Sequence, residues 1–92
     1  MKKITAFYLE GCPYCRQARE ALKELMNKNE NYSKVSLDWI EENQHPEISE
    51  KFDYYYVPSM FIDDKKIYEA HRGENFDECK ENIRRVLETA IS

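Results

Sequence analysis

The sequence predicts an α/β fold in which a four-stranded mixed sheet is flanked by three helices, in the order βαβαββα. Three observations carry that expectation. Apolar residues recur at helical spacing over 15–26 and again over 76–90, an apolar run at 4–9 precedes the first of these stripes, and a polar Asp63-Asp64-Lys65 turn separates two strand-like runs. A helix-covered sheet is the compact way to bury such stripes.

The elements follow in order. Ile4 to Leu9 is nearly all apolar and rich in strand formers, as a strand covered on both faces would be. Pro13 suits a first helical turn, and Cys15, Ala18, Ala21, Leu22, Leu25 and Met26 share one stripe of a first helix that ends near 27–31. Val35 and Leu37 alternate with Lys34, Ser36 and Asp38, which predicts a second strand, and the helix between makes it parallel to the first. Pro46 with Ile48 and Phe52 at i, i+4 predicts a short helix within the less patterned stretch from Trp39 to Tyr56. Met60-Phe61-Ile62 and Lys66-Ile67-Tyr68 flank the polar turn as a hairpin. Asn75 is placed to cap the last helix, with Glu78 as its capping-box partner and Phe76, Cys79, Ile83, Val86, Leu87 and Ala90 as the buried stripe.

Ninety-two residues suffice for one domain, expected to span 1–92, and no linker or repeat divides them. A chain that is 41% hydrophobic and 35% charged, with 2 Gly and 3 Pro, has the balance of a folded globule. Lys and Arg number 14 against 18 Asp and Glu, a net charge of −4, so nucleic acid and anionic membranes are not expected partners. The apolar run at 4–9 is too short for a signal-peptide core or a bilayer span, and the expectation is a cytoplasmic monomer.

Three cysteines fit a stapled secreted framework poorly, but two of them, in Cys12-Pro13-Tyr14-Cys15, have the C-x-x-C spacing of a redox dithiol or half a zinc site. Zinc needs four ligands, and Cys79, His45 and His71 are scattered without finger spacing, so no metal is expected. Only a thiolate attacks a disulfide, and a free cysteine with a pKa of about 8.5 is mostly protonated at neutral pH. Cys12 lies just before the first helix, where unpaired N–H groups and the helix dipole favour an anion, so it is the expected nucleophile. Cys15 lies on the inward stripe one turn on and is the expected resolving thiol, while Pro13 stiffens the turn and the Tyr14 ring shields the sulfur.

With a strand, this tetrapeptide, a helix, and later Val57-Pro58 before an apolar strand, the chain resembles the thioredoxin superfamily over essentially its whole length and looks most like a glutaredoxin. The resemblance implies a thioredoxin-like fold and a thiol-disulfide oxidoreductase with no bound cofactor, acting on disulfide-containing proteins, with glutathione as a possible co-substrate. It also implies a cis Pro58 facing the dithiol, with the Val57 backbone free to pair with substrate. Departures matter too. Leu9 stands where many glutaredoxins carry a glutathione-binding lysine, and Arg72-Gly73-Glu74 with Asp77 keeps only half of the family's Gly-Gly motif. Two electron donors therefore stay open, glutathione and a thioredoxin-reductase-type flavoenzyme. The Trp-Cys-Gly-Pro-Cys signature of thioredoxins is absent, and Ala6 stands where they bury an acid. An iron-sulfur or zinc carrier using Cys12 is the reading from another class.

Of the remaining residues, Tyr54, Tyr55 and Tyr56 read either as core and surface packing or as rings lining a groove beside the dithiol, Tyr56 being the candidate that joins Val57 and Gly73 in substrate binding. Cys79 reads as a buried small hydrophobe. His45 and His71 read as exposed or packed side chains, and the acidic pairs Glu41-Glu42 and Glu78 with Glu81 as solvated groups.

Overall fold

Alternation along the first strand decides the architecture. In the computed structural model, which describes residues 2–92, β1 (Ile4–Tyr8) buries Ile4 and Ala6 on one face and Phe7 on the other. The residues of each face require a cover, and two different layers supply it.

One cover is helical. α1 (Pro13–Lys28) and α4 (Phe76–Ile91) pack against each other and against the sheet, bringing Ala18, Leu22 and Leu25 together with Ile83, Val86 and Leu87 over Ile4, Ala6, Met60 and Ile62. The other cover is aromatic. Phe7 stacks on Tyr54 at 4.9 Å between ring centres and meets Phe52 at 5.0 Å, and Phe61 joins the same cluster.

The sheet has the order β2-β1-β3-β4. β1 runs parallel to β2 (Leu37–Glu41), with Ile4 opposite Leu37, and antiparallel to β3 (Ser59–Ile62), with Phe7 opposite Ser59. β3 and β4 (Lys65–Glu69) form the expected hairpin, with a register shift between Met60 and Phe61. Asp63 occupies its turn at φ 56°, a left-handed conformation that aspartate tolerates better than most residues.

The elements differ from the sequence pattern in three places. Among the described residues there are four helices rather than three, because the first ends at Lys28 and Asn29, at φ −136°, accepts through its side chain from the Asn31 N–H at 2.9 Å, opening a one-turn α2 (Glu30–Ser33). That turn buries Tyr32 and carries the chain through Val35 before any strand begins, so β2 starts at Leu37 and includes Trp39 and Ile40. The short α3 (Pro46–Ser49) is present, but Phe52 lies beyond its end and packs as part of the aromatic layer.

At α4, Asn75 accepts from the Glu78 N–H at 2.8 Å as its cap. The reciprocal half of the capping box is not made: the Glu78 carboxylate is turned to Nε2 of His71 instead. Among the described residues no helix is long and apolar enough to cross a membrane.

Candidate functional site

The dithiol sits where β1 hands the chain to α1. Gly11 takes φ +76° in the intervening turn, a conformation that would strain any side chain there. Cys12 is the N-cap of α1 and Pro13 its first residue, so the proline's missing N–H falls where the helix has no partner for it.

Sγ of Cys12 accepts from the Cys15 N–H at 3.3 Å. The Cys12 thiol also lies 3.9 Å from the Val57 carbonyl oxygen, its acceptor across the cleft. Cys12 is half-buried and Cys15 only 3% exposed, and all three cysteines are free thiols. Burial first, and then the neighbouring Cys12 sulfur, pushes the Cys15 thiol up to about 12. At neutral pH the second cysteine is therefore a protonated thiol held one helical turn from the first. The two sulfurs thus differ in exposure, one half-buried at the helix end and the other enclosed.

Val57-Pro58 is a cis peptide, with Pro58 buried and the Val57 carbonyl presented to Cys12. From the other side Tyr14 reaches the loop before α4, where its hydroxyl accepts from the Gly73 N–H at 2.7 Å. Gln17 adds a second tie, donating to the Glu74 carbonyl at 3.2 Å. An apolar pocket opens between Tyr14, Tyr56, Val57, Ala70, His71 and Arg72. The structure thus brings together Cys12, Pro13, Tyr14, Cys15, Tyr56, Val57, Pro58 and Gly73. The neighbouring tyrosines divide: Tyr54 is packed on Phe7 with its hydroxyl donating to Glu42 at 2.7 Å, while Tyr55 is 83% exposed.

Two features went unread in the sequence. Arg19 lies four residues after Cys15, with its guanidinium 4.4 Å above the Tyr8 ring and 4.9 Å from that of Trp39, in the cleft that both cysteines line. The i, i+4 spacing from Cys15 was the available signal, but nothing local announced the two rings. Glu74 is buried beneath the loop, where its carboxylate accepts from the Tyr68 hydroxyl and from the Asn82 amide at 3.3 Å. The Cys79 sulfur lies 3.5 Å from that hydroxyl, fully buried, and burial pushes its thiol up.

Among the described residues, one group of histidine, cysteine and carboxylate side chains is close enough to share a metal ion: His71, Glu74 and Glu78. It excludes both dithiol cysteines. Its members are also engaged with protein partners, Glu74 with Tyr68 and Asn82, Glu78 with His71.

The same frame recurs in solved structures. Thioredoxin 1 from the thermophilic eubacterium Thermosipho africanus TCF52B superposes with a TM-score of 0.59 at 18% identity, covering 98% of this chain and 99% of that one. A malarial protein gives 0.58 at 11% identity over 89% of this chain and 92% of its own. Zinc-bound human ERp44 gives 0.55 at 16% identity, covering 92% of this chain and 26% of that one. What these share with the chain is the thioredoxin-like α/β fold. No curated protein matches the sequence. The family model described as thioredoxin domain matches residues 2–88, and the chain belongs to that family.

Proposed function

We propose that the protein is a dithiol-disulfide reductase acting on protein disulfides and glutathione mixed disulfides. The observation that carries this reading is the pairing at the start of α1: a half-exposed Cys12 sulfur at the helix N-cap, and a buried Cys15 thiol one turn behind it.

The reaction follows from that inequality. The Cys12 thiolate attacks one sulfur of the substrate disulfide, forming a mixed disulfide and expelling the other sulfur as a thiolate that takes a proton. The helix N-terminus stabilises the attacking anion through the Cys15 N–H. Cys15 then loses its proton and attacks the Cys12 sulfur, releasing the second substrate thiol and leaving a Cys12–Cys15 disulfide. Two electrons have passed to the substrate, and an external thiol or flavoenzyme must return them.

The Val57 carbonyl and the exposed face of Tyr56 border the attack site and would hold the substrate backbone, with Gly73 fixed beside them through Tyr14. In this reading the protein works as a cytoplasmic monomer without a resident cofactor. An iron-sulfur or zinc carrier built on Cys12 finds no third ligand near it among the described residues and would have to draw ligands from a second copy or from free thiols.

The test is reduction of the oxidised protein by two NADPH-coupled systems in turn, glutathione with glutathione reductase, and thioredoxin reductase. Fast recycling by glutathione makes it a functional glutaredoxin despite Leu9. Preference for the flavoenzyme makes it a thioredoxin-like redoxin. Recycling by neither would refute the reductase reading and favour the metal carrier.

A further inference from the structure

Two recesses flank the dithiol, and the charge on their walls is not that of the molecule. The chain as a whole carries −4. The recess on the β2 side, which Cys12 and Cys15 line, carries Arg16 and Arg19 against a single acid, Glu10. The apolar pocket on the β4 side, beyond Val57, carries Arg72 and no acid.

None of these three exposed arginines forms an ion pair among the described residues, although Arg84 pairs with Glu81 and lysines pair with Asp38, Glu24 and Glu69. Of the carboxylates near Arg72 in sequence, Glu69 holds Lys66, Glu74 is turned inward to Tyr68 and Glu78 holds His71, while Asp77 is exposed and does not pair with Arg72. Arg19 is also positioned in advance. The Tyr8 and Trp39 rings hold its guanidinium, 4.4 and 4.9 Å from their centres, in the recess that the cysteines line. Both recesses offer arginine rather than lysine, and the planar fork of arginine matches a carboxylate in two parallel hydrogen bonds.

The strand order fixes how these cations relate to the reacting sulfur. Cys12 follows the end of β1, Val57 precedes β3, and Arg72 follows β4, so the three lie across one end of the sheet in the order of their strands, with Arg19, beside Tyr8 and Trp39, and Arg16 on the β2 side of Cys12. A segment lying across this end with its half-cystine at Cys12 would place its flanking residues over the two recesses.

Resting on the reductase reading above, we propose that the preferred substrate is a protein segment with acidic residues on both sides of the half-cystine, read by Arg16 and Arg19 on one side and Arg72 on the other. Glutathione also carries carboxylates, so the test must separate the two sources.

Three disulfide peptides of equal length, with Glu, Gln or Lys on both sides of the half-cystine, are reduced by the full chain at low and high ionic strength, alongside a glutathione-capped Gln peptide. The expected result is a kcat/KM about tenfold higher for the Glu than for the Gln peptide at low salt, with the Lys peptide slowest and the spread collapsing at high salt. The R16Q/R19Q/R72Q variant should lose the Glu-to-Gln ratio, and R16K/R19K/R72K should restore part of it. Equal rates for the three peptides, or a preference that survives in the glutamine variant, overturns the proposal. Arginine dependence confined to the glutathione-capped peptide overturns it as well, by assigning the cations to glutathione. Failure of the wild-type chain to reduce any of the four peptides would instead refute the reductase reading itself.

Discussion

At the scale of single residues, the unequal environments of the cysteines make the sharpest predictions. Cys12→Ser should abolish disulfide reductase turnover. Cys15→Ser should block reduction of protein disulfides while allowing mixed disulfides to accumulate on Cys12, visible as adducts by intact mass. In the folded protein at pH 7, brief iodoacetamide treatment should label Cys12 alone, because Cys15 and Cys79 are buried and their thiols are raised. Labelling of Cys15 before Cys12, mapped by peptide mass, would contradict the assignment of nucleophile and resolving thiol.

His71 gives a prediction in pH. Its two ring nitrogens face acceptors only, the Glu78 carboxylate and the Arg72 carbonyl, which asks for a proton on both, and the same Glu78 contact raises its pKa. A raised folded-state value means stabilisation that is complete below the unfolded pKa of about 6.5 and is lost as pH climbs through the folded one. Urea midpoints of wild type should fall between pH 6 and 9 by more than those of His71→Gln; parallel profiles would rule the contribution out. The tetrapeptide and Val57-Pro58 were legible because their chemistry depends on short spacings. Arg19 and Glu74 were not, because the rings of Tyr8 and Trp39 and the hydroxyl of Tyr68 reach them only once the sheet is assembled.

At the scale of elements, helix ends decide more than helix interiors. Asn75→Ala removes the side chain that accepts the Glu78 N–H and should cost about 1 kcal/mol of stability, since the other half of the capping box is absent. In a domain of this length that corresponds to a fall in Tm of roughly 4–8 °C by calorimetry; no shift would mean that solvent caps the helix equally well. The long helices were readable because their stripes face a single core. β2 was readable as a strand parallel to the first but not in its bounds, since a strand at the sheet edge keeps Leu37, Trp39 and Ile40 all half-buried and loses the alternation that marks a two-faced strand. The end of the first helix near 27–31 was read correctly, but the one-turn α2 after it was hidden, being a matter of one cap among several polar residues.

At the scale of the whole molecule, buried polar groups join layers that the hydrophobic pattern alone would leave independent. Glu74 ties the loop before α4 to Tyr68 of β4 and Asn82 of α4, and its backbone carbonyl receives Gln17 of α1. Glu74→Ala should therefore destabilise by about 1–3 kcal/mol, leaving the Tyr68 hydroxyl buried without its acceptor. It should also weaken the hold on Gly73 that positions Tyr14. Chemical denaturation measures the first effect and amide exchange at Gly73 the second; a variant as stable as wild type would show that the network is dispensable.

The central place of β1 in the sheet has a consequence for how the dithiol is made. β1 and α1, which bracket Cys12, are synthesised before β2 and β3, in which β1 finds its partners, and before α4, against which α1 packs. Until residues 57–62 have emerged, the nascent chain holds the two cysteines without the Val57 carbonyl and without β3. The dithiol is thus laid down by one stretch of chain and faced by a carbonyl from another 45 residues later.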